Sequence, residues 1–387
     1  MLWVAPMNQD SQSKQAQSVL GLYRPDLAES LDAQGLPSYR LDQAYEHLVR
    51  RPMRPFAEAT ALPAGIRRSL DDLGASTLAL AGQRVGADGT VKLLLSTRDG
   101  LLIETVLIPY RQRVTVCVSS QVGCPVGCAF CATGAMGFRR NLSVAEIVDQ
   151  FRAAAATLSD ADARVSNLVF MGMGEPFLNL QTVLASIRVF TDARGLNLAH
   201  RSISVSTVGI PAGIARLARA EPQVNLALSL HGATDRTRAL LIPAAHRHPL
   251  AEILSASWQH FEQTHRKLLV EYVLLHGVND STADAKRLAG LLRGHVVTVN
   301  LLPWNPVRPP SGTRGEPAGR PGLAVGGLAR FQPSPAIVAA AFRETLLGAR
   351  IETVIRRGRG SDIEAACGQL AGRSEACEPA GRGARSR

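Results

Sequence analysis

From residue 114 onward the chain repeats one pattern: a short, almost wholly apolar run, then a stretch with helical spacing, then another run. The runs are Val-Thr-Val-Cys-Val (114–118), Asn-Leu-Val-Phe-Met-Gly-Met (167–173) and Ser-Ile-Ser-Val-Ser-Thr (202–207). Val-Asn-Leu-Ala-Leu-Ser-Leu (224–230), Leu-Leu-Val-Glu-Tyr-Val-Leu-Leu (268–275) and Val-Val-Thr-Val-Asn-Leu-Leu (296–302) follow. Helical stretches such as 144–156, 180–193 and 281–292 lie between them. Strands without a polar face must be covered on both sides, and helices that alternate with them supply that cover. The pattern predicts an α/β fold with a parallel sheet of six strand–helix units. In such sheets ligands gather at the carboxyl ends of the strands.

The flanks read differently. Residues 1–24 are polar and predict a disordered N-terminus. Residues 25–75 predict a small helical domain, broken by Pro52, Pro55 and Pro63. Residues 76–113 hold short strands split by Gly and Asp turns, a small β extension. The main domain then spans 114–370. Within it, residues 303–330 hold six Pro and six Gly, so 307–333 reads as a long surface loop. A helix over 335–347 and a last strand over 351–356 follow. Residues 371–387 form a Gly/Arg-rich tail that is expected to be disordered.

No apolar run approaches the roughly 20 residues a membrane helix needs. The N-terminal residues lack the basic and apolar regions of a signal peptide. The expected compartment is the cytoplasm, with no membrane partner. There, thiols stay reduced, so six cysteines point to metal or catalysis before disulfides. The net charge of +11 points to a polyanion such as RNA or DNA. Only four of the 43 basic residues are lysine, and arginine's planar fork suits phosphate.

Three cysteines cluster after the first apolar run. Cys124, Cys128 and Cys131 have C-x3-C-x2-C spacing and no close fourth partner. A closed structural zinc site or a plain electron-transfer cluster takes four ligands. Zinc with Cys117 as the fourth ligand, three unrelated buried cysteines, or an iron–sulfur cluster with one open iron all remain compatible with that spacing. Polar residues also end several strands. Gly174 and Glu175 stand in Met-Gly-Met-Gly-Glu-Pro (171–176), Ser206 in Ser-Thr-Val-Gly, Ser229-Leu230-His231 in Ala-Leu-Ser-Leu-His-Gly, and Asn305 in Pro-Trp-Asn-Pro. Taken singly, each is an ordinary turn, cap or structural histidine. Cys367, in Arg-Gly-Ser-Asp-Ile-Glu-Ala-Ala-Cys-Gly-Gln-Leu (359–370), has no structural reason to be a thiol beside Gly. Glu104, in Leu-Ile-Glu-Thr-Val, reads by itself as a solvent-facing strand residue.

The three-cysteine spacing, Gly-Glu-Pro, Ser-Leu-His and Ala-Ala-Cys-Gly-Gln-Leu occur in one order from about Pro25 to Leu370. In that order they resemble the RlmN/Cfr family of radical S-adenosylmethionine (SAM) RNA adenine methyltransferases, most closely its RlmN branch. The resemblance implies a partial (β/α)6 barrel. It implies one 4Fe–4S cluster on Cys124, Cys128 and Cys131, and two SAM molecules consumed per turnover. Gly174, Glu175, Ser206, Ser229, Leu230, His231 and Asn305 would line the SAM pocket. Cys367 would carry the methyl group, Cys117 would release the product through a disulfide, and Glu104 would remove the ring proton. The helical residues 25–75 would touch RNA. The implied product is 2-methyladenine in 23S ribosomal RNA near the peptidyl-transferase centre, and in tRNA anticodon stem-loops. An electron donor such as flavodoxin or ferredoxin would serve a monomeric enzyme. Methylation at C8 in the manner of Cfr shares every motif, and a zinc-stabilised RNA-binding protein without activity is the alternative from another class.

Overall fold

The structure is a computed structural model that describes residues 19–50, 53–158, 164–307, 331–356 and 358–372. It opens with four helices: α1 (Val19–Tyr23), α2 (Pro25–Ala33), α3 (Tyr39–Arg50) and α4 (Ala64–Leu73). An antiparallel meander follows: β1 (Leu78–Val85), β2 (Val91–Thr97), β3 (Leu102–Tyr110) and β4 (Arg113–Cys117). A two-stranded ribbon of β5 (Gln121–Gly123) and β6 (Phe138–Asn141) encloses the short α5 (Ala132–Ala135).

Next come α6 (Val144–Ala155), β7 (Val165–Phe170), α7 (Leu180–Thr191), β8 (Ile203–Thr207), α8 (Pro211–Ala220) and β9 (Asn225–Ser229). Then follow α9 (Asp235–Leu241), α10 (Leu250–Thr264), β10 (Leu268–Leu274), α11 (Thr282–Leu292), β11 (Val297–Pro303), α12 (Ala336–Gly348) and β12 (Glu352–Ile355). All but β5 and β6 join one ten-stranded sheet in the order β1-β2-β3-β4-β7-β8-β9-β10-β11-β12. From β4 onward every neighbour is parallel. The last strand, β12, adds a seventh parallel strand to the six expected units. The order ends at β1 and β12, so the sheet is an open, partial barrel.

The strand sequences explain the layering. Val205, Leu226, Leu228, Val270, Tyr272, Val299 and Leu301 are fully buried and face the helices. The alternate positions carry Ser206, Ser229, Glu271 and Asn300, so the inner face is polar. Registers place Ser229 opposite Glu271, and Glu271 opposite Asn300, in one layer of that face. Capping boxes start α6 (Ser143 with Glu146) and α11 (Ser281 with Asp284), fixing where each helix leaves its loop.

The N-terminal boundary differs from expectation. Residues 19–24 are not frayed: Leu20, Tyr23 and Arg24 are buried. Arg24 pairs with Asp26 at 2.8 Å and donates to the carbonyls of Leu73 and Gly74. Those acceptors satisfy a charge that composition alone would leave outside. Residues 1–18, most of the 307–333 loop (308–330) and the tail beyond Gly372, including Cys377, lie outside the described residues. Gly372 and Ala371 themselves pack against the body rather than belonging to a free tail, because the Ala371 amide is bonded to Glu104. Among the described residues no helix is long and apolar enough to cross a membrane.

A buried polar knot ties the helical layer to the sheet. Arg152 of α6 donates to Asp149 (2.6 Å), to the Tyr23 hydroxyl (2.7 Å), and to the carbonyls of Leu48 (2.7 Å) and Ala75 (2.8 Å). Asp149 also accepts from the Thr77 amide (2.7 Å) and hydroxyl (2.8 Å). Asp149→Ala would leave the Arg152 charge buried without its partner, at a cost of about 3–5 kcal/mol. Urea unfolding should show this as a lower midpoint at unchanged slope. A loss under about 1 kcal/mol would mean that the knot does not pin the helices.

Candidate active site at the mouth of the barrel

The three-cysteine loop follows β5 and folds tightly on itself. A Cβ at Gly123 would lie 1.9 Å from the Gly137 carbonyl oxygen, and one at Gly134 would lie 2.8 Å from the Cys128 backbone. Only glycine permits that closeness. Cys124, Cys128 and Cys131 are half-buried against Val126, Phe130, Leu241, Ile242, Val273, Leu275 and Trp304. The Trp304 indole donates to the Phe130 carbonyl at 3.0 Å, and Phe130 stands edge-on to His231, with centroids 4.9 Å apart. Burial pushes all three thiols up, Cys124 to about 12, and Cys128 is raised further by Cys131 and Cys124. A cationic metal centre is what would reverse that preference for the thiol.

Among the described residues no three His, Cys, Asp or Glu side chains are grouped to hold one metal ion. A zinc site needs its thiolates about 2.3 Å from one centre. The three thiols and Cys117 do not stand around one such point in this structure. An iron–sulfur cluster brings its own sulfides and takes one thiolate per iron. Three sulfur donors around one apolar cup fit such a group.

The Gly-Glu-Pro turn leaves β7 beside this loop. Gly174 has φ 103°, and a Cβ there would lie 2.7 Å from the Gln121 side chain. Glu175 is buried and accepts from the Phe177 amide (3.1 Å) and the Val208 amide (3.0 Å), while its own amide donates to Gln121 (2.9 Å). Burial raises its carboxyl to about 7, against the pull of those amides. Ser206 spends its hydroxyl proton on the Phe170 carbonyl at 2.8 Å. Ser229 is half-buried at the end of β9. Leu230 is fully buried, and its amide donates to the Glu271 carbonyl at 3.0 Å. His231 adopts a left-handed φ of 57° and accepts from the Val273 amide through Nδ1 at 3.1 Å. Burial holds its pKa down at about 3, helped by Arg238, so the ring is neutral.

Arg238 was not found from the sequence. It is buried, donates to the Leu230 and Val208 carbonyls, and so couples the Ser-Leu-His turn to the turn that holds Glu175. Burial lowers its own pKa to about 10, partly offset by Cys128.

After β12 the chain crosses the open side of the sheet. Arg359 donates to the Pro109 carbonyl (3.0 Å), Gly360 to Asp88 (3.2 Å), and Asp362 accepts from the Ala87 amide (2.9 Å). The segment then returns to the cysteine loop. Gly368 accepts from Ala132 (2.8 Å), Leu370 from the Thr133 hydroxyl (2.7 Å), and Asn305 reaches the Cys367 carbonyl (3.5 Å). Cys367 lies exposed in this crossing, inside the concavity of the mouth. Cys117 lies buried at the end of β4. Burial raises Cys117 to about 12, and Cys367 adds to that rise. Although Cys367 is open to solvent, desolvation by the walls of the mouth pushes its thiol up to about 11, with Glu271 and then Cys131 adding and Arg356 opposing. Each outlying thiol is thus influenced by another thiol of the site, Cys117 by Cys367 and Cys367 by Cys131.

Glu271, Asn300 and Arg356 also escaped the sequence reading. Asn300 donates to Glu271 (2.7 Å) and accepts from Arg356 (3.0 Å). The available signal was a glutamate inside an otherwise apolar run. Glu104 does not face solvent: it is buried, and ion-paired to Lys92 at 3.2 Å.

A partial parallel barrel with three thiols beside its strand ends defines a radical SAM enzyme, and residues 118–289 match the family model of the Radical SAM superfamily. The chain is 44% identical to the probable dual-specificity RNA methyltransferase RlmN of Heliobacterium modesticaldum, over 96% of this chain and 94% of that protein. It is 43% identical to a same-named protein of Thermus thermophilus, over 89% and 91%. The crystal structure of a radical SAM methyltransferase from Sphaerobacter thermophilus superposes with a TM-score of 0.82 at 40% identity, covering 92% of this chain and all of that one. The chain belongs to the RlmN family of radical SAM RNA methyltransferases. The family implies a 4Fe–4S cluster, SAM and an RNA substrate.

With both outlying thiols raised, each is protonated at neutral pH. Only thiolate alkylates, so the iodoacetamide rate at Cys367 should climb about tenfold per pH unit between about pH 8 and pH 10. Cys117, being buried, should lag at every pH. Peptide mapping reads both; a plateau at Cys367 near the ordinary thiol value of about 8.5 would contradict the site described.

Proposed function

We propose that the protein converts adenine to 2-methyladenine in 23S ribosomal RNA near the peptidyl-transferase centre and in tRNA anticodon stem-loops. It would do so in the cytoplasm, as a monomer, with flavodoxin or ferredoxin as electron donor. The observation that supports this reading is the return of the Cys367 segment to the three-thiol loop, where Gly368 and Leu370 accept from Ala132 and Thr133 although they lie more than 230 residues away in sequence.

Adenine C2 is not nucleophilic, so it cannot take a methyl group from SAM by displacement. Cys367 can, since sulfur is nucleophilic once deprotonated. Exposed in the mouth, it can receive the methyl group from one SAM and present it to an RNA base. Cys124, Cys128 and Cys131 would hold the cluster, leaving one iron for the amino and carboxylate groups of a second SAM. When bound, the cluster supplies the electron that splits this SAM and so activates the S-methyl carbon.

Glu175, with Gly174, would accept the N–H groups of the SAM amino group. Ser206, Ser229, His231 and Asn305 would line the rest of the SAM pocket, and Arg238 holds two of its turns together. Neutral His231 is fixed by the Val273 amide, so its Nε2–H can only donate. After the base is linked to Cys367 and its C2 proton is lost to a general base, Cys117 would attack that sulfur; the S–C bond breaks as the disulfide forms, and the released carbon takes up a proton. Two electrons from an outside reductant must then restore both thiols. The net positive charge would attract RNA, and the helices α1–α4 would serve as an RNA-touching domain.

Nucleoside mass spectrometry after anaerobic incubation with SAM, reductant and RNA should find 2-methyladenosine. In the same assay Cys117→Ala should accumulate protein covalently joined to RNA. Finding 8-methyladenosine alone would overturn the position of methylation, and clean RNA release by Cys117→Ala would overturn the disulfide step.

A further inference from the structure

The segment that carries Cys367 has almost no regular structure of its own. Gly360, Glu364, Gly368 and Gly372 all take left-handed φ, between 55° and 84°. One short turn, Ser361–Ile363, is its only helical piece among the described residues. Its place is therefore set by contacts with other elements. Two of these come from one buried ion pair. Lys92 of β2 and Glu104 of β3 lie 3.2 Å apart, with side-chain exposures of 9% and 3%. Lys92 Nζ also donates to the Glu364 carbonyl at 3.1 Å. Glu104 Oε2 accepts from the Ala371 amide at 2.7 Å. The pair thus grips the segment three residues before Cys367 and four residues after it. Glu364 is a non-glycine residue at φ 55°, a strained position that needs support from outside.

Both carboxylate oxygens of Glu104 already have partners, one an ammonium and one an amide. We infer that Lys92 and Glu104 are positioning residues, a buried latch that holds the Cys367 segment against β2 and β3 at the mouth of the barrel. Glu104 then serves the reaction through the placement of Cys367, not by taking the ring proton. The inference rests on the proposed function only in treating Cys367 as the methyl carrier.

Removing one charge of a buried pair strands the other, whereas removing both leaves none to strand. Three variants of the cluster-loaded enzyme separate the two roles: Glu104→Gln, Lys92→Met, and the double Lys92→Met/Glu104→Gln. In the double variant the Gln carbonyl can still accept from Ala371. A fourth variant, Ala371→Pro, deletes that amide without touching the barrel, and covers the case that a stranded charge prevents folding. Two readouts are taken: the alkylation rate of Cys367, which needs neither RNA nor turnover, and RNA methylation.

The latch predicts that each single variant and Ala371→Pro speeds Cys367 alkylation about tenfold or more and slows methylation. It predicts that the double variant, which strands no charge and keeps the Ala371 grip but loses the Lys92 hold on Glu364, recovers only part of the way toward wild type in both readouts. A double variant with wild-type alkylation that still makes no released methylated RNA would restore the proton-acceptor role and overturn the inference. Unchanged alkylation in Glu104→Gln, Lys92→Met and Ala371→Pro would also overturn it. Failure of the wild type to methylate RNA would sink the proposed function instead, and the alkylation rates would still decide the latch.

Discussion

A ten-stranded sheet whose end strands do not meet has to be spanned by something else, and here a single irregular segment does it. Residues 358–372 leave β12 at one edge and cross to the β1–β2 turn and β3 at the other. They do so through side-chain and backbone hydrogen bonds, without a strand ladder. The same crossing carries Cys367 to Cys117 and lays Gly368 and Leu370 on the helix that follows Cys131. Closing the mouth and assembling the thiols are therefore one structural event.

The environment of those thiols suits radical chemistry. The cluster loop sits in an apolar cup, and burial keeps every thiol of the site neutral until a partner arrives. His231 and Arg238 are buried beside it, one neutral and one cationic, and both are committed to backbone groups. Such fixed dipoles cost no reorganisation when charge appears. The cluster loop packs against apolar side chains while Cys367 stays exposed.

The barrel strands were legible because parallel strands buried on both faces leave continuous apolar runs, as at 268–275 and 296–302. The final strand was also legible, but its parallel pairing to β11, which makes seven, was not. The cysteine loop and the strand-end turns could be read because their residues are close in sequence. Lys92 and the Glu271–Asn300–Arg356 network could not, because their partners lie on other strands or in the C-terminal crossing. Lys92 and Glu364, for example, are 272 residues apart. The buried start at Leu20–Arg24 was hidden by the polar residues before it and by partners at 73 and 74. Glu104 looked like a surface residue until the C-terminal crossing covered it.

The proposed chemistry needs Cys367 to reach Cys117 from its place beside the cluster loop. Mild oxidation of the cluster-loaded protein with diamide, followed by peptide mapping under non-reducing conditions, tests this directly. A Cys117–Cys367 disulfide as the main product is the predicted result. Cys117 left free while Cys367 pairs with Cys124, Cys128 or Cys131 would contradict it.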